Sequence, residues 1–385
     1  MPTPTPNSVL IEKPANKIIY IDNLKVLLLT LVVLHHTFIT YGAPGGWYYF
    51  QKTTSEAAKI PMTMFVAVNQ TFFMGFFFFL SALFIPSSYD KKGAARFIKD
   101  RLLRLGIPLI FYSLVLSPVL NYTVEHIGYG RHHSFVEYMS GYHHWVDFGV
   151  LWFVAALLLF TLLYALWRAV FEAQPQKDQL VPASSMVLVF AVALGILSFL
   201  VRIIFPIGWV LQPVGFQLGH FPQYIVLFIL GLIASRNKWL DTLNYKQGKR
   251  MAAIAACIVT IIFPLFYVLL TWLKFPSKYF SGGFHWPSLL YALWEQLTGL
   301  CIITALLCIG KQRWNKASAF SSKLSRSAFA VYIFHPLVII SISLAIKDWG
   351  IDSALKLLVV APLAVVFSFL LGSVIVSIPG VKRIV

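Results

Sequence analysis

This chain of 385 residues is poor in charged residues, and its charges are mostly of one sign. Charged residues make up 12% of it, whereas a soluble domain usually has about a quarter. Acidic residues are scarce, with 14 against 31 basic ones. Hydrophobic residues supply 58% of the chain and aromatic residues 16%. This composition excludes an ordinary soluble domain and favours a protein that faces lipid.

Several motifs that would indicate other chemistries are absent. The three cysteines, Cys257, Cys301 and Cys308, lie inside apolar runs, so no disulfide framework is expected. No GxSxG nucleophile elbow is present, which leaves a serine-hydrolase mechanism without support. No HExxH or similar ligand spacing and no internal repeat occur. The sequence therefore predicts no metal site and no tightly bound cofactor.

Long apolar runs are abundant instead. Ten runs are long enough, or nearly so, to cross a hydrocarbon core of about 30 Å. They show no alternating period, so they predict helices and not the strands of a membrane barrel. We expect an all-α, polytopic membrane protein with about ten transmembrane helices. The runs lie near 18–41, 62–86, 104–123, 149–170, 184–205, 220–235, 252–273, 288–309, 326–346 and 354–378.

Basic residues concentrate in alternate connections between these runs. By the positive-inside rule those connections are cytoplasmic, and both termini with them. The net charge of +17 is then a signal of topology, and we expect no binding of nucleic acid. The basic connections carry Lys91, Lys92, Arg96, Lys99, Arg101 and Arg104; Arg236, Lys238, Lys246, Lys249 and Arg250; and Lys311, Arg313, Lys316, Lys323 and Arg326.

The predicted domain organisation is simple. Residues 1–17 are polar and rich in proline and threonine, which predicts a disordered cytoplasmic tail. Residues 18–378 form one membrane domain, and 379–385 a short cytoplasmic tail. No cleavable signal peptide is expected, because the first apolar run is too long for one.

Lys25 and His36 mark a polar stripe on the first predicted helix. Their separation of eleven residues places them about 20° apart around the helix and roughly 16 Å apart along its axis. His35 points about 100° away from His36. Ionisable side chains inside a membrane are costly unless they are used or neutralised. The stripe therefore predicts a polar path that enters the membrane from one side.

Several short motifs follow in order along the chain. After Lys25 and His36 come FFFFLSALF with Ser81, and RLLRLGIP with Arg101 and Arg104. LWFV, FPQYIVLFILGLIA and SAFAVYIFHP follow later in the chain. In this order the chain resembles the acyltransferase-3 family of bacterial membrane O-acyltransferases, over nearly its whole length. It departs from the usual Ser-Gly of that family, because Ala82 follows Ser81.

The resemblance implies a function. Family members carry acyl groups from cytoplasmic acyl-CoA to carbohydrates or other acceptors outside the bacterial cytoplasmic membrane. It implies that His36 is the catalytic base, that Lys25 is its partner in the donor path, and that Arg101 and Arg104 bind the donor. The expected partners are acyl-CoA, a cell-envelope glycan and the lipid bilayer. Acetyl is the expected acyl group, with succinyl as the alternative.

The residue chemistry is consistent with this function. Acyl transfer to a hydroxyl needs a base for its proton, and histidine titrates near neutrality. Arg101 and Arg104 are one helical turn apart, so two guanidinium groups can meet one phosphate of coenzyme A. The alternative is that both arginines only anchor the chain at lipid headgroups.

Four further residues are candidates for the site. Glu295 and Arg202 lie inside apolar runs, where they either pair or orient the acceptor; Arg202 could instead snorkel to the interface. His335 matches a histidine of the family, and the alternative is a packed, hydrogen-bonded side chain. Ser81 is a candidate nucleophile if the reaction passes through an acyl-enzyme, although we expect direct transfer.

The role of the histidine-rich outer loop and the class of function both remain open at the level of the sequence. The loop with His126, His132, His133, His143 and His144 suggests zinc by density but lacks ligand spacing, so sugar binding or plain interfacial structure is favoured. Two other function classes also stay open. A secondary transporter or flippase would have many helices and a polar stripe, but no paired segments broken by glycine or proline occur in corresponding halves. The other class is an acyltransferase-like protein without chemistry that serves as a sensor or assembly partner.

Overall fold

A computed structural model describes residues 18–172, 175–276 and 278–381. Within these ranges the structure is helical and has no strand, only an isolated bridge between Leu211 and Phe216. Ten helices in this part of the chain are long and apolar enough to cross a membrane, which confirms the predicted fold class. We number them α1 (Ile19–Tyr41), α2 (Glu56–Lys92), α3 (Ala94–Gly128), α4 (Gly149–Val170), α5 (Ser184–Ile204), α6 (Leu218–Arg236), α7 (Tyr245–Leu269), α8 (Trp286–Arg313), α9 (Ala319–Ala345) and α10 (Ser353–Ile375).

The helix bounds differ from the predicted runs mainly at polar ends. α2 and α3 extend beyond their apolar runs to 37 and 35 residues. The RLLRLGIP motif therefore lies within α3, and α3 continues to Gly128, so the connection predicted for 124–148 is shorter. The predicted tail 1–17 and residues 382–385 of the second tail lie outside the described residues. The cytoplasmic location of the termini stays a prediction.

Polar contacts tie the connections together on two faces of the bundle. On the face where α1 begins, Lys311 Nζ donates to Asp241 O at 2.7 Å and Asn23 Nδ2 to Trp314 O at 2.7 Å. We call this side the basic face, because the three basic connections lie on it. On the opposite face, Lys347 Nζ donates to Ile127 O at 2.8 Å.

α2 is interrupted twice, and one interruption is used for packing. Its regular segments are Glu56–Gln70, Phe73–Ala82 and Ile85–Lys92. At the first break, Gln223 Nε2 donates to the carbonyl oxygen of Thr71 at 2.7 Å. Gly299 of α8 approaches the same carbonyl so closely that an added Cβ would lie 2.0 Å from its oxygen. The break thus lets α6 and α8 pack directly on the backbone of α2.

α3 contains three widened, π-helical turns, at Leu102–Gly106, Tyr112–Leu116 and Val124–Gly128. Pro108 and Pro118 each follow one of the first two closely. Proline lacks an N–H and its ring collides with the carbonyl four residues earlier, so the helix widens there. The first widened turn contains Arg104 and follows directly after Arg101.

The helices differ greatly in how much of their surface the bundle covers. α1 packs between α9 and α10, and α6 packs on the middle of α2. In the most apolar windows of α2 and α7, 72% and 17% of the residues are buried inside the protein. The interior that holds the candidate polar residues is formed largely by α1, α2, α6, α8 and α9, with Arg202 added from α5. α7 contacts mainly α8.

Candidate active site

Two cavities enter the bundle, and they contain different kinds of side chain. The larger has a volume of about 890 Å³ and includes His35, His36 and residues of the connections on the opposite face. The smaller, about 420 Å³, contains Lys25, Arg101 and Arg104. We call them the histidine cavity and the basic cavity. The structure therefore places the two ends of the Lys25–His36 stripe in separate spaces.

The ring of His36 stacks on that of Trp47, and the ring of His335 lies nearly parallel beside both; we call these three rings the histidine stack. The ring centroid of His36 is 4.1 Å from that of Trp47 and 5.3 Å from that of His335, with interplanar angles of 16° and 21°. Among the described residues, Nδ1 of His36 is buried without a hydrogen-bond partner. Contacts with the two neighbouring rings thus fix the orientation of the imidazole, and His36 lines a cavity large enough for a substrate.

Trp47 reaches this stack because the chain turns back after α1. Gly45 has a φ of +147°, and an added Cβ there would lie 2.5 Å from Cδ1 of Ile39. Glycine is the residue that takes such a conformation without steric cost. The turn returns the connection to the end of α1, where Trp47 covers His36.

His35 has a different surrounding from its neighbour. Its Nδ1 lies 3.2 Å from Nδ2 of Asn69, and its ring stacks on Phe73 at 4.9 Å. A side chain that is packed and hydrogen-bonded in this way holds α1 against α2. His36 Nδ1 has no such partner among the described residues, and the assignment of His36 as the base stays a prediction.

His335 is fully buried in α9. Its Nδ1 lies 2.8 Å from the carbonyl oxygen of Tyr332, an arrangement in which Nδ1–H donates. That bond leaves Nε2 as the acceptor nitrogen, and within the described chain this atom has no hydrogen-bond partner. The structure brings this candidate residue to His36, as its place in a common site requires.

The basic cavity gathers Lys25, Ser81, Arg101 and Arg104 from three helices. Lys25 Nζ lies 3.6 Å from Asp22 Oδ1 and 4.9 Å from the ring centre of Phe84. The guanidinium of Arg101 lies 5.0 Å from the ring centre of Phe97. These contacts leave a net positive cavity. Ser81 lines this cavity and not the histidine cavity, so it is not brought to His36.

Glu295 and Arg202 form a buried ion pair, as one of the two expectations had it. Arg202 Nη2 donates to Glu295 Oε2, and His220 Nδ1 lies 3.2 Å from Glu295 Oε1. Arg202 Nε donates to Gly219 O at 3.0 Å, and Gln296 Nε2 to Glu295 Oε2 at 3.2 Å. Snorkelling of Arg202 to the interface is excluded, because its exposed fraction is 0%.

This ionic network lies behind the wall of the histidine cavity. His220 and Tyr224 line the cavity, whereas Arg202 and Glu295 do not. Glu295 is therefore placed to orient His220. A direct contact between Glu295 and a substrate in the cavity would require the wall to move.

The histidine-rich loop forms a cluster of aromatic rings. The ring of Tyr122 stacks on that of His126 at 5.3 Å and meets His133 edge-on at 5.7 Å. Glu125 accepts from Arg131 at 3.0 Å. At the start of the short helix Phe135–Ser140, the backbone and hydroxyl of Ser134 donate to Glu137 and lower the pKa of that carboxyl. These side chains are engaged with one another.

Several residues of the candidate site are not among those predicted from the sequence. Trp47 and Tyr332 contact or approach the histidine stack, Asn69 holds His35, and His220 connects the cavity to Glu295. Trp47 and His220 lie in or beside connections, where no helical spacing relates them to His36. Asn69 had a usable signal, because it is a polar side chain inside an apolar run.

These features define a multi-pass membrane protein with two cavities among its described residues, one containing histidines and one containing basic side chains, that enter from opposite faces. The model of the acyltransferase-3 family, described as an acyltransferase domain, matches residues 18–379. The chain belongs to the acyltransferase-3 family, which confirms the resemblance and makes the protein a membrane acyltransferase in the general sense. No curated protein and no solved structure matches the chain.

Proposed function

We propose that this protein is an O-acyltransferase of the bacterial cytoplasmic membrane. It transfers an acyl group, acetyl in the first instance, from acyl-CoA to a hydroxyl of a cell-envelope carbohydrate. The basic face lies in the cytoplasm and the histidine cavity opens outwards. The observation that carries the proposal is the pair of cavities, one cationic and one with a histidine stack, entering from opposite faces.

The donor fits the basic cavity by charge and by size. Coenzyme A carries a 3′-phosphate and a pyrophosphate, and guanidinium groups pair with phosphate through two parallel hydrogen bonds. Arg104 is exposed and Arg101 partly buried, so they are suited to the phosphates at the mouth of the cavity. Lys25 and Ser81 line the same space. A cavity of about 420 Å³ accommodates the narrow pantetheine arm while the nucleotide stays outside.

The acceptor fits the histidine cavity. Trp47, Tyr48, Trp152 and Tyr224 supply flat apolar surfaces, and Gln70 and His220 supply hydrogen-bonding groups. Aromatic faces with a few polar groups between them suit a sugar ring, which has apolar faces and a polar rim. The acceptor hydroxyl then lies near the imidazole of His36.

The reaction that we propose is direct. His36 removes the proton from the acceptor hydroxyl, whose oxygen attacks the carbonyl carbon of the thioester. A carbon–oxygen bond forms, the carbon–sulfur bond breaks, and the thiolate of coenzyme A takes the proton from His36. Trp47 and His335 keep the imidazole in place. Because Ser81 lies in the other cavity, direct transfer needs fewer movements than a serine acyl-enzyme.

Acceptor-dependent release of thiol from acetyl-CoA tests this function. Purified protein in liposomes is compared with His36→Ala, with a cell-envelope extract as acceptor. We expect thiol release from the wild type only when the extract is present, and its loss in the variant. No release from the wild type with extract would contradict the proposal and favour the transporter or flippase.

A further inference from the structure

Tyr332 separates the two cavities. Among the described residues, it is the one side chain that lines both the histidine cavity and the basic cavity. Its exposed fraction is 7%, although it adjoins two open spaces. Tyr332 therefore lies where the two cavities approach each other, and we call this residue and the segment facing it the wall.

The start of α4 packs against Tyr332 and forms the other part of this wall. Tyr332 donates its hydroxyl hydrogen to the carbonyl oxygen of Val150, and its ring meets that of Phe153 edge-on at 6.0 Å. Val150 and Trp152 line the histidine cavity, whereas Phe153 and Val154 line the basic cavity. Residues of the short segment 150–154 thus line first one cavity and then the other within about one helical turn. Tyr332 fills the space beside this segment.

The wall lies between Lys25 and His36, whose cavities must be connected during the proposed reaction. Lys25 and His36 lie roughly 16 Å apart along α1, in different cavities. A thioester held by the basic cavity reaches His36 only if its acyl end passes Tyr332. Among the described residues, one hydrogen bond to a backbone carbonyl and contacts with the rings of Phe153 and His335 hold this side chain. A rotation about its χ angles opens the gap without moving a helix.

We propose that Tyr332 is the residue that keeps the two cavities apart and sets the size of the acyl group that passes between them. With the hydroxyl on Val150 the wall is closed and water cannot cross from one cavity to the other. With the ring turned aside, a small acyl group enters the histidine cavity. The claim that an acyl group passes Tyr332 rests on the proposed function, whereas the claim that Tyr332 separates the cavities does not.

Accessibility of an introduced cysteine tests the separation without any catalysis. Ala328→Cys places a thiol in the basic cavity, on α9, one turn before Tyr332. Cys257, Cys301 and Cys308 are first replaced by alanine. A membrane-impermeant maleimide is then applied to oriented vesicles from either side. We expect labelling of the introduced thiol from the basic face only, and labelling from both sides when Tyr332→Ala is added.

Two variants control for a general loosening of the protein. Tyr332→Phe keeps the ring and loses the bond to Val150, so labelling from the opposite side should appear at an intermediate rate. Phe329→Ala enlarges the basic cavity but leaves Tyr332 in place, because Phe329 lines that cavity alone. It should show no labelling from the opposite side. Two results would overturn the proposal that Tyr332 separates the cavities. One is equal labelling of the introduced thiol from both sides when Tyr332 is present, and the other is no labelling from the opposite side in Tyr332→Ala.

The acyl-size role is tested by the ratio of kcat/KM for hexanoyl-CoA to that for acetyl-CoA. Removing the ring of Tyr332 should raise this ratio at least tenfold and should also raise thiol release without acceptor, because water then reaches the thioester. Phe329→Ala should change the ratio much less. An unchanged ratio in Tyr332→Ala, in a protein whose cysteine labelling shows joined cavities, would overturn the size role alone. Absence of all turnover in the wild type would instead contradict the proposed function.

Discussion

The two cavities of this protein differ in how their polar side chains are held. In the basic cavity, Lys25 and Arg101 are long and partly exposed, and each also contacts an aromatic ring. At the histidine cavity, His36 stacks on the ring of Trp47, and His335, buried beside it, is hydrogen-bonded to the backbone. A cation that captures a phosphate needs charge and reach, whereas a base needs a fixed position. Under the proposed function, the basic cavity binds the phosphates of the donor and the histidine cavity holds the base.

The sharpest test of this comparison removes the base. We expect His36→Ala to lower turnover by about 10²- to 10⁴-fold, the usual contribution of a positioned general base. KM for acyl-CoA should change little, because the donor is held in the other cavity. Steady-state kinetics of thiol release measure both quantities, and the melting temperature serves as a control for folding. A variant with nearly full turnover would end the mechanism.

Breaking the ion pair behind the histidine cavity should affect stability most. Glu295→Leu leaves the buried charge of Arg202 uncompensated, which typically costs about 3–5 kcal/mol of folding free energy. The double variant Arg202→Met/Glu295→Leu removes both charges and should regain most of the lost melting temperature. Thermal unfolding in detergent measures the series. A single variant as stable as the wild type would show that the pair is not what holds α5 against α8.

On the donor side, the expected effect is on affinity. Arg101→Ala removes charged hydrogen bonds worth about 1.5–3 kcal/mol, so KM for acyl-CoA should rise roughly 10- to 100-fold with kcat nearly unchanged. Arg96→Ala is the matched control, because Arg96 is exposed on the same helix and does not line the cavity. Equal effects of the two variants would favour anchoring at lipid headgroups over a donor site.

A smaller effect should separate His35 from His36. Asn69→Leu leaves Nδ1 of His35 without its partner, and an unsatisfied buried polar group costs about 1–3 kcal/mol. We expect a lower melting temperature, with turnover per folded molecule far less affected than by His36→Ala. If Asn69→Leu lowered turnover without lowering stability, His35 and not His36 would be the better candidate for the base.

The smallest effect concerns the connection that carries Trp47. Asp352 accepts from the N–H of Ala354 and from the hydroxyl of Thr53, both at 2.8 Å, and these bonds lower its pKa. Its stabilising contribution is therefore present above the unfolded pKa of about 3.9 and is lost as the pH falls through the lower folded value. Asp352→Ala should lower the melting temperature slightly at pH 7 and by less at pH 3, which lies below the unfolded pKa. An equal decrease at both pH values would contradict this.

How far the sequence predicts the site depends on whether its residues share a helix. That Lys25 and His36 share one face follows from the geometry of α1, and that Arg101 and Arg104 lie one turn apart follows from that of α3; their roles in a site come from the resemblance to the family. The pairing of Arg202 with Glu295 was one of two open alternatives, because spacing along one helix says nothing about which residue faces another helix. Trp47, His220 and Tyr332 come from other segments, so no periodicity could have connected them to His36.

The sequence by itself determined the class, the number of helices and the family of this protein. A hydrocarbon core accepts only apolar segments whose backbone bonds are satisfied internally, so length and composition are sufficient for that conclusion. Only the tertiary structure decided that the polar stripe of α1 is divided. The division depends on one turn of α4 meeting one tyrosine of α9, and such a contact arises from the packing of distant segments.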